Sequence, residues 1–315
     1  MSKLLLAVDG GATKTIAVIT DAKGAILGRG KAGSSNYQVV GELGAVQALT
    51  KSIQEALDES GLNEKSLTRI DKAVFALAGI DTSMDERTVK GFVRKAVQQL
   101  SLTIPELIIE NDCQSALLGV TQDKPGVLLI AGTGSIAFAH DGRGTFVRAG
   151  GWGHRVGDEG SGYWIGKEAI RSVLKMLDGR EKNTILARLI LEHFQFASIE
   201  DLYNWVYSED YTVDDVSALT QSVEKARELG DEVSKSILDS AAEELGQLLL
   251  TVIQKTDIVN DEFDLILQGG VLQHNQYIRE KVKLRIKEQA EQVKVVTAKE
   301  EPIFYIINRG LAISE

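Results

Sequence analysis

Residues 150–166 read GGWGHRVGDEGSGYWIG, a run with seven glycines, two tryptophans and the acidic pair Asp158-Glu159. Glycine admits positive φ and lets a ligand approach the backbone closely. Tryptophan offers a flat apolar face with one polar handle. An acid at a helix start either caps that helix or accepts hydrogen bonds from a polyol. This combination suits a small polar ligand better than it suits a core. Upstream, Asp9-Gly10-Gly11-Ala12-Thr13-Lys14-Thr15 combines turn dipeptides with two hydroxyls and one ammonium. It reads as an ordinary hairpin turn or as a phosphate cradle built from exposed amides. The spacing is not that of a Walker loop. Gly132-Thr133-Gly134-Ser135 has the same character, and opposed hairpins of this kind could hold a polyphosphate. Asp112 sits where a strand ends and a helix begins, either as an N-cap or as a base for a substrate hydroxyl. Gly269-Gly270 is a third strand-end glycine turn, either a plain connection or backbone laid against a nucleotide.

The elements that must position these residues follow from apolar patterning. Residues 3–8 form a short buried strand, residues 15–20 a second, and Asp21-Ala22-Lys23-Gly24 turns into a third, giving an antiparallel meander. Helical spacing of Leu43, Val46, Leu49, Ile53, Ala56 and Leu57 predicts a helix that Gly61 can end. A strand (73–77), a helix (85–100) and a strand (107–109) follow. The pattern then restarts with strands at 127–131, 136–140 and 145–149, so one strand–glycine turn–strand–turn–strand unit occurs twice. From Asp158 to Lys255 the chain is mostly helical. A strand (263–267), a helix (276–292) and a strand (293–296) come next, and Pro302 opens a terminal helix. Pro125-Gly126 marks the weakest boundary.

Composition narrows the function classes. The chain has 315 residues, 43% of them hydrophobic and 25% charged, as in ordinary globular proteins of one large or two medium domains. A formal net charge of −10 argues against nucleic acid or an anionic membrane as the main partner. It leaves phosphorylated ligands open, because local amides bind phosphate whatever the global charge. The one cysteine, Cys113, allows no intramolecular disulfide and no cysteine-rich metal or cluster site. The opening MSKLLLAVDGG is too short an apolar run for a signal peptide or membrane span, so a cytoplasmic location is the default expectation.

In order along the chain, DGGATKT, Gly33-Ser34-Ser35-Asn36, Ala76-Leu77-Ala78-Gly79, Asn111-Asp112, AGTGS, GGWG, GDEGS and QGGV resemble the motifs of the actin-like ATPase superfamily of sugar kinases. Within it, they resemble the N-acetylglucosamine kinase group of the BadF/BadG/BcrA/BcrD family. The resemblance runs nearly end to end. It implies an α/β fold of two actin-like (ribonuclease H-like) domains with a cleft between them, the second enlarged by helices. The first would cover residues 1–120, with the terminal helix 302–315 packing back on it, and the second 121–301. ATP and Mg²⁺ are implied, with Asp9 positioning the metal through water. Gly10, Gly11, Thr13, Lys14, Gly132, Thr133 and Gly134 would hold phosphates. Gly269 and Gly270, with Ala226 from the helical region, would line the adenosine site. Asn36, Asp112, Gly151, Trp152, Gly153 and Asp158 would bind the sugar, and Asp112 would be the base on its 6-hydroxyl. N-acetylglucosamine is the implied substrate, with N-acetylmuramic acid, glucosamine or glucose as alternatives; the resemblance also suggests a homodimer. Activator-type ATPases of the same family hold an iron–sulfur cluster, which one cysteine cannot ligate. ROK-type kinases and repressors carry a cysteine cluster that this chain lacks. A relative that keeps the fold without catalysis is the remaining alternative. His154 and Trp164 read as packed side chains, Glu159 or Asp158 as a cap for the following helix, and the acids at 209–215 as solvated surface.

Overall fold

The computed structural model describes residues 3–62, 68–122, 124–296 and 300–312. The chain divides into two compact units, residues 1–123 with 298–315, and residues 124–297.

The first unit opens with β1 (Leu4–Gly10), β2 (Thr15–Asp21) and β3 (Ile26–Ala32), followed by α1 (Tyr37–Glu59), β4 (Thr68–Arg69), β5 (Lys72–Leu77), α2 (Ser83–Gln99), β6 (Leu102–Thr103), β7 (Glu106–Asn111) and α3 (Asp112–Thr121). Five strands make one sheet in the order β3-β2-β1-β5-β7. β1, β2 and β3 are antiparallel neighbours, whereas β1, β5 and β7 run parallel. Because a parallel sheet needs cover on both faces, β1 is a continuous apolar run. Leu6 and Val8 join Leu49, Ile53, Phe75 and Phe92 in one core cluster, while Leu5 and Ala7 point into another. Each of these leucine, valine, isoleucine and phenylalanine side chains contributes about 1.5–3 kcal/mol of burial. α1 starts six residues before Leu43, since Asn36 caps it by accepting the Gln38 amide at 3.0 Å; the helix breaks at Gly41, whose φ is 69°. The small pair β4 and β6 is too short for periodicity to reveal.

The second unit comprises β8 (Gly126–Ala131), β9 (Ser135–His140), β10 (Phe146–Gly150), α4 (Gly162–Leu177), α5 (Leu186–Phe194), α6 (Ile199–Val206), α7 (Val213–Ala218), α8 (Thr220–Glu228), α9 (Glu232–Lys255), β11 (Phe263–Gln268), α10 (Gly270–His274), α11 (Gln276–Gln289) and β12 (Val293–Val296). Its sheet runs β10-β9-β8-β11-β12, antiparallel across the first three strands and parallel across the last three. The repeat read from the sequence is thus one topology built twice. Helices α4 to α8 are the addition in this unit; α9 packs on β8, β9 and β10, the place α1 takes in the first unit, burying Ala241, Leu245, Leu249 and Val252.

The chain ends in α12 (Pro302–Ala312), which belongs to the first unit. Ile303, Ile306 and Ile307 pack against Leu5, Ala7, Val18 and Val74, covering the sheet face opposite α1. Arg309 donates to Glu110 at 2.7 Å.

Candidate active site

In the first unit the candidate residues gather at the carboxyl ends of the parallel strands. Register aligns Gly10 with Leu77 and Leu77 with Asn111, so the turn after β1, the Ala78-Gly79 corner and the start of α3 share one edge. The turn closes through the Gly11 amide donating to the Lys14 carbonyl at 2.9 Å, and Thr13 and Lys14 stand exposed on it. A Cβ on Gly10 would collide with the Ser35 and Leu77 side chains. Glycine here lets the turn at residues 11–14 seat against the 33–36 loop, where the Ser35 amide donates to the Gly11 carbonyl at 3.3 Å. Asn36 lies against Gly79, whose φ of 85° excludes most side chains.

Asn111, not Asp112, caps α3. Its Oδ1 accepts the Cys113 amide at 2.9 Å and the Gln114 amide at 3.4 Å. Asp112 is the first helical residue, and its Oδ1 also accepts the Cys113 amide at 2.9 Å. Burial raises the Asp112 pKa, while the Cys113 amide opposes the shift. Asp9 is raised to about 6, first by burial and then by the Asp112 charge, with Lys14 pulling the other way. Two carboxylates therefore sit within electrostatic reach of each other, with Lys14 near Asp9.

In the second unit the residues from 131 to 163 form one knot of backbone. Gly162 donates to the Gly132 carbonyl at 2.7 Å, Gly151 to the Ser135 carbonyl at 2.9 Å, and Ser135 Oγ to the Glu159 carbonyl at 2.8 Å. Asp158 is buried at a φ of 60°. Its carboxylate accepts the Ser135 and Gly153 amides and lies beneath Gly134, where a Cβ would come within 2.8 Å of Oδ2. Burial raises its pKa, and those two amides oppose the rise. Asp158 thereby joins the AGTGS turn to the GGWG loop. Neither Asp158 nor Glu159 caps α4; Ser161 does so, its Oγ accepting the Trp164 amide at 3.2 Å. The signal for this cap was a serine three residues before the first apolar helical pair.

Trp152 is 66% exposed. The Arg148 guanidinium lies 4.9 Å from its ring centre and donates to the carbonyls of Gly150 at 3.1 Å and Gly151 at 2.7 Å. Sequence reasoning passed over Arg148, since a basic residue in a short strand carries no motif. His154 packs edge-on against Tyr163, with ring centres 5.2 Å apart.

A cavity of about 920 Å³ lies wholly within the second unit. Its walls include Gly132 and Thr133 of the second turn, Gly270 at the start of α10, and Gln221, Glu224 and Lys225 of α8. Gly269, at φ 92°, cannot carry a Cβ without striking the Ala131 carbonyl, so the third glycine pair abuts the second turn. Ala226 is fully buried in the core and does not line the cavity; its neighbours Glu224 and Lys225 do. Helical spacing cannot reveal which face of a short helix meets a cavity rather than the core. Asp214, read as solvated surface, also lines it. Glu224 is held by Arg227 at 2.6 Å and by the Asn275 side-chain amide at 2.9 Å.

The donor set fits Mg²⁺ held largely by phosphate. Among the described residues no group of three His, Cys, Asp or Glu side chains could hold a metal by itself. Mg²⁺ commonly takes only one or two carboxylates plus substrate phosphates and water, and Asp9 beside Asp112 is an acidic pair that a cation would relieve. Among the described residues no helix is long and apolar enough to cross a membrane.

The fold is that of the actin-like sugar-kinase class. The chain belongs to the BadF/BadG/BcrA/BcrD ATPase family, whose model matches residues 6–303. An N-acetylmuramic acid/N-acetylglucosamine kinase of Clostridium acetobutylicum is 32% identical over 302 residues, covering 96% of each chain. An N-acetyl-D-glucosamine kinase of Dictyostelium discoideum is 32% identical over 311 residues, again covering 96% of each. A solved structure from Chromobacterium violaceum, provisionally assigned as an N-acetylglucosamine kinase, superposes with a TM-score of 0.68. It is 22% identical, with 97% of this chain and 98% of that one covered.

Proposed function

We propose that the protein is an ATP- and Mg²⁺-dependent kinase that phosphorylates the 6-hydroxyl of N-acetylglucosamine or a closely related amino sugar. The observation that carries this reading is the division of labour at the start of α3. Asn111 takes the cap, which leaves Asp112 as a strand-end carboxylate whose pKa is lifted toward the working range of a general base. In the proposed step the sugar O6 attacks the γ-phosphorus while Asp112 accepts the hydroxyl proton. The bond from that phosphorus to the β,γ-bridging oxygen breaks, and ADP leaves. Positioning and charge neutralisation dominate such transfers. Bound Mg²⁺, held by Asp9 and the phosphates, would neutralise charge developing on the leaving group.

Thr13 and Lys14 on the first turn, with the Gly10 and Gly11 amides, are assigned to phosphate, as are Gly132, Thr133 and Gly134 on the second. The cavity bordered by Gly132, Thr133 and Gly270 is of nucleotide size, within the range of ordinary ligand sites. Asn36, Trp152, the Gly151 and Gly153 backbone and Asp158 are assigned to the sugar. Asp158 acts partly by fixing the loop, since it already accepts two amides. The names of the curated relatives support an amino sugar over glucose. A homodimer belongs to this reading by resemblance alone, and a cytoplasmic location by default expectation from the sequence.

The test is purified protein with ATP and Mg²⁺ against N-acetylglucosamine, N-acetylmuramic acid, N-acetylmannosamine, glucosamine and glucose. Turnover highest on an N-acetylated sugar is the expected result, and no turnover on any sugar sinks the reading.

A further inference from the structure

We propose that Arg148 is the positioning residue of the acceptor loop, a single guanidinium that sets both the backbone of Gly150-Gly151 and the orientation of the Trp152 ring. The proposal rests on the reading of this loop as the sugar side of the site. Gly150 and Gly151 have φ of 73° and 72°, two successive residues in the left-handed region. That conformation turns both carbonyls toward one side chain, where Nε–H and Nη2–H of Arg148 meet them at 3.1 and 2.7 Å. A planar fork of fixed donors matches two adjacent acceptors, which an ammonium cannot do. The same guanidinium lies 4.9 Å from the centre of the Trp152 ring. A ring left 66% exposed has little core packing to orient it, so the cation beneath it is its main constraint. Anchorage comes from β10, where Arg148 pairs in register with Phe138 of β9. Glycine is required at 151 for a second reason, since a Cβ there would strike the Ile136 side chain. Arg148 is not part of the wall of the second unit's nucleotide-sized cavity, so its effect is specific to the sugar.

Steady-state kinetics of the full chain and of Arg148→Ala and Arg148→Lys separate these roles. Both variants are expected to raise the sugar KM about tenfold, the scale of one charge-assisted hydrogen bond. The ATP KM should stay within about twofold, because uniform weakening of one substrate alone marks a sugar-side role. Guanidinium ion added to Arg148→Ala should restore sugar affinity. Arg148→Lys keeps the charge and stem, so it remains informative should Arg148→Ala fail to fold. An unchanged sugar KM in Arg148→Lys, or equal rises for sugar and ATP, overturns the proposal. A second readout needs no turnover: acrylamide quenching of Trp152, taken as the difference between each protein and its Trp152→Phe counterpart. Loss of the stacked cation should raise that quenching constant, and an unchanged constant overturns the clamp. A wild-type protein that turns over no sugar but shows the quenching change would instead sink the kinase reading and leave the clamp standing.

Discussion

The two glycine hairpins share a frame and differ in what they carry. In the first, the closing pair Gly10 and Thr15 brackets four residues; in the second, Ala131 and Ser135 bracket three. One step before the closing pair stands Asp9 in the first hairpin and Ile130 in the second. The strands beside them correspond as well. Gly79, two residues past β5, has φ 85°, and Gly269, directly after β11, has φ 92°. The first glycine makes room for the Asn36 side chain and the second for the Ala131 carbonyl. One topology therefore places a left-handed glycine at the same strand end in both units. At that edge the first unit adds the neighbouring carboxylates Asp9 and Asp112, whereas in the second the Asp158 carboxylate lies beneath Gly134, beside backbone, hydroxyls and a cavity. In the proposed mechanism the repeat supplies a phosphate turn in each unit, while the base, Asp112, comes from one copy.

The largest effect that would break this contrast is at the base. Asp112→Asn should lower kcat by about 10²–10⁴-fold with sugar binding retained, checked by turnover alongside calorimetric titration of the sugar. An unchanged rate would remove the first unit's claim to the chemistry. Asp9 gives the next largest effect, and its sign differs between stability and activity. Its pKa rises from 3.8 to about 6, so the charged form is disfavoured in the fold. The associated stability is complete below the unfolded value and is lost as pH rises through about 6. At about 1.4 kcal/mol per pH unit, ionising Asp9 costs about 3 kcal/mol. Asp9→Asn should therefore raise the urea midpoint of the ligand-free protein above pH 6 and flatten its pH dependence between 4 and 6, while reducing Mg²⁺-dependent turnover. A variant with the parent's pH slope would show that Asp9 is not the strained group.

Smaller effects separate two glycines of the second unit's edge. Gly269→Ala should cost about 1–3 kcal/mol, since it adds a left-handed φ to a backbone collision. Gly132→Ala meets only ordinary contacts near 3.8 Å and should shift stability by less than about 0.5 kcal/mol. Equal losses in chemical denaturation would contradict the geometry. A further pair tests the caps: Asn111→Ala and Ser161→Ala should each cost about 1 kcal/mol. If Asp112→Ala lost as much helix stability as Asn111→Ala, the cap would have been misassigned.

Much of the candidate site was legible because it consists of local rules. Glycine at 10, 134 and 269, a strand-end acid at 112 and an exposed tryptophan at 152 announce themselves by residue type and spacing. The cap at Ser161 was hidden by the more conspicuous acids beside it. Ala226 was misplaced relative to the cavity because a nine-residue helix shows one face to the core and another to the cavity, and sequence spacing does not say which.

The sequence by itself determined the repeated strand–turn–strand unit and the glycine positions. These depend on backbone permissiveness and on periods of two and 3.6, which are properties of neighbours in the chain. Tertiary structure decided the charge states and the supports. Asp112 raises the Asp9 pKa only because β1 and β7 flank β5, some hundred residues apart in sequence. Asp158 reaches Ser135, and Arg148 reaches Trp152, only once the loop folds back on β9 and β10. Desolvation and electrostatic coupling depend on distance in space, which no spacing along the chain encodes.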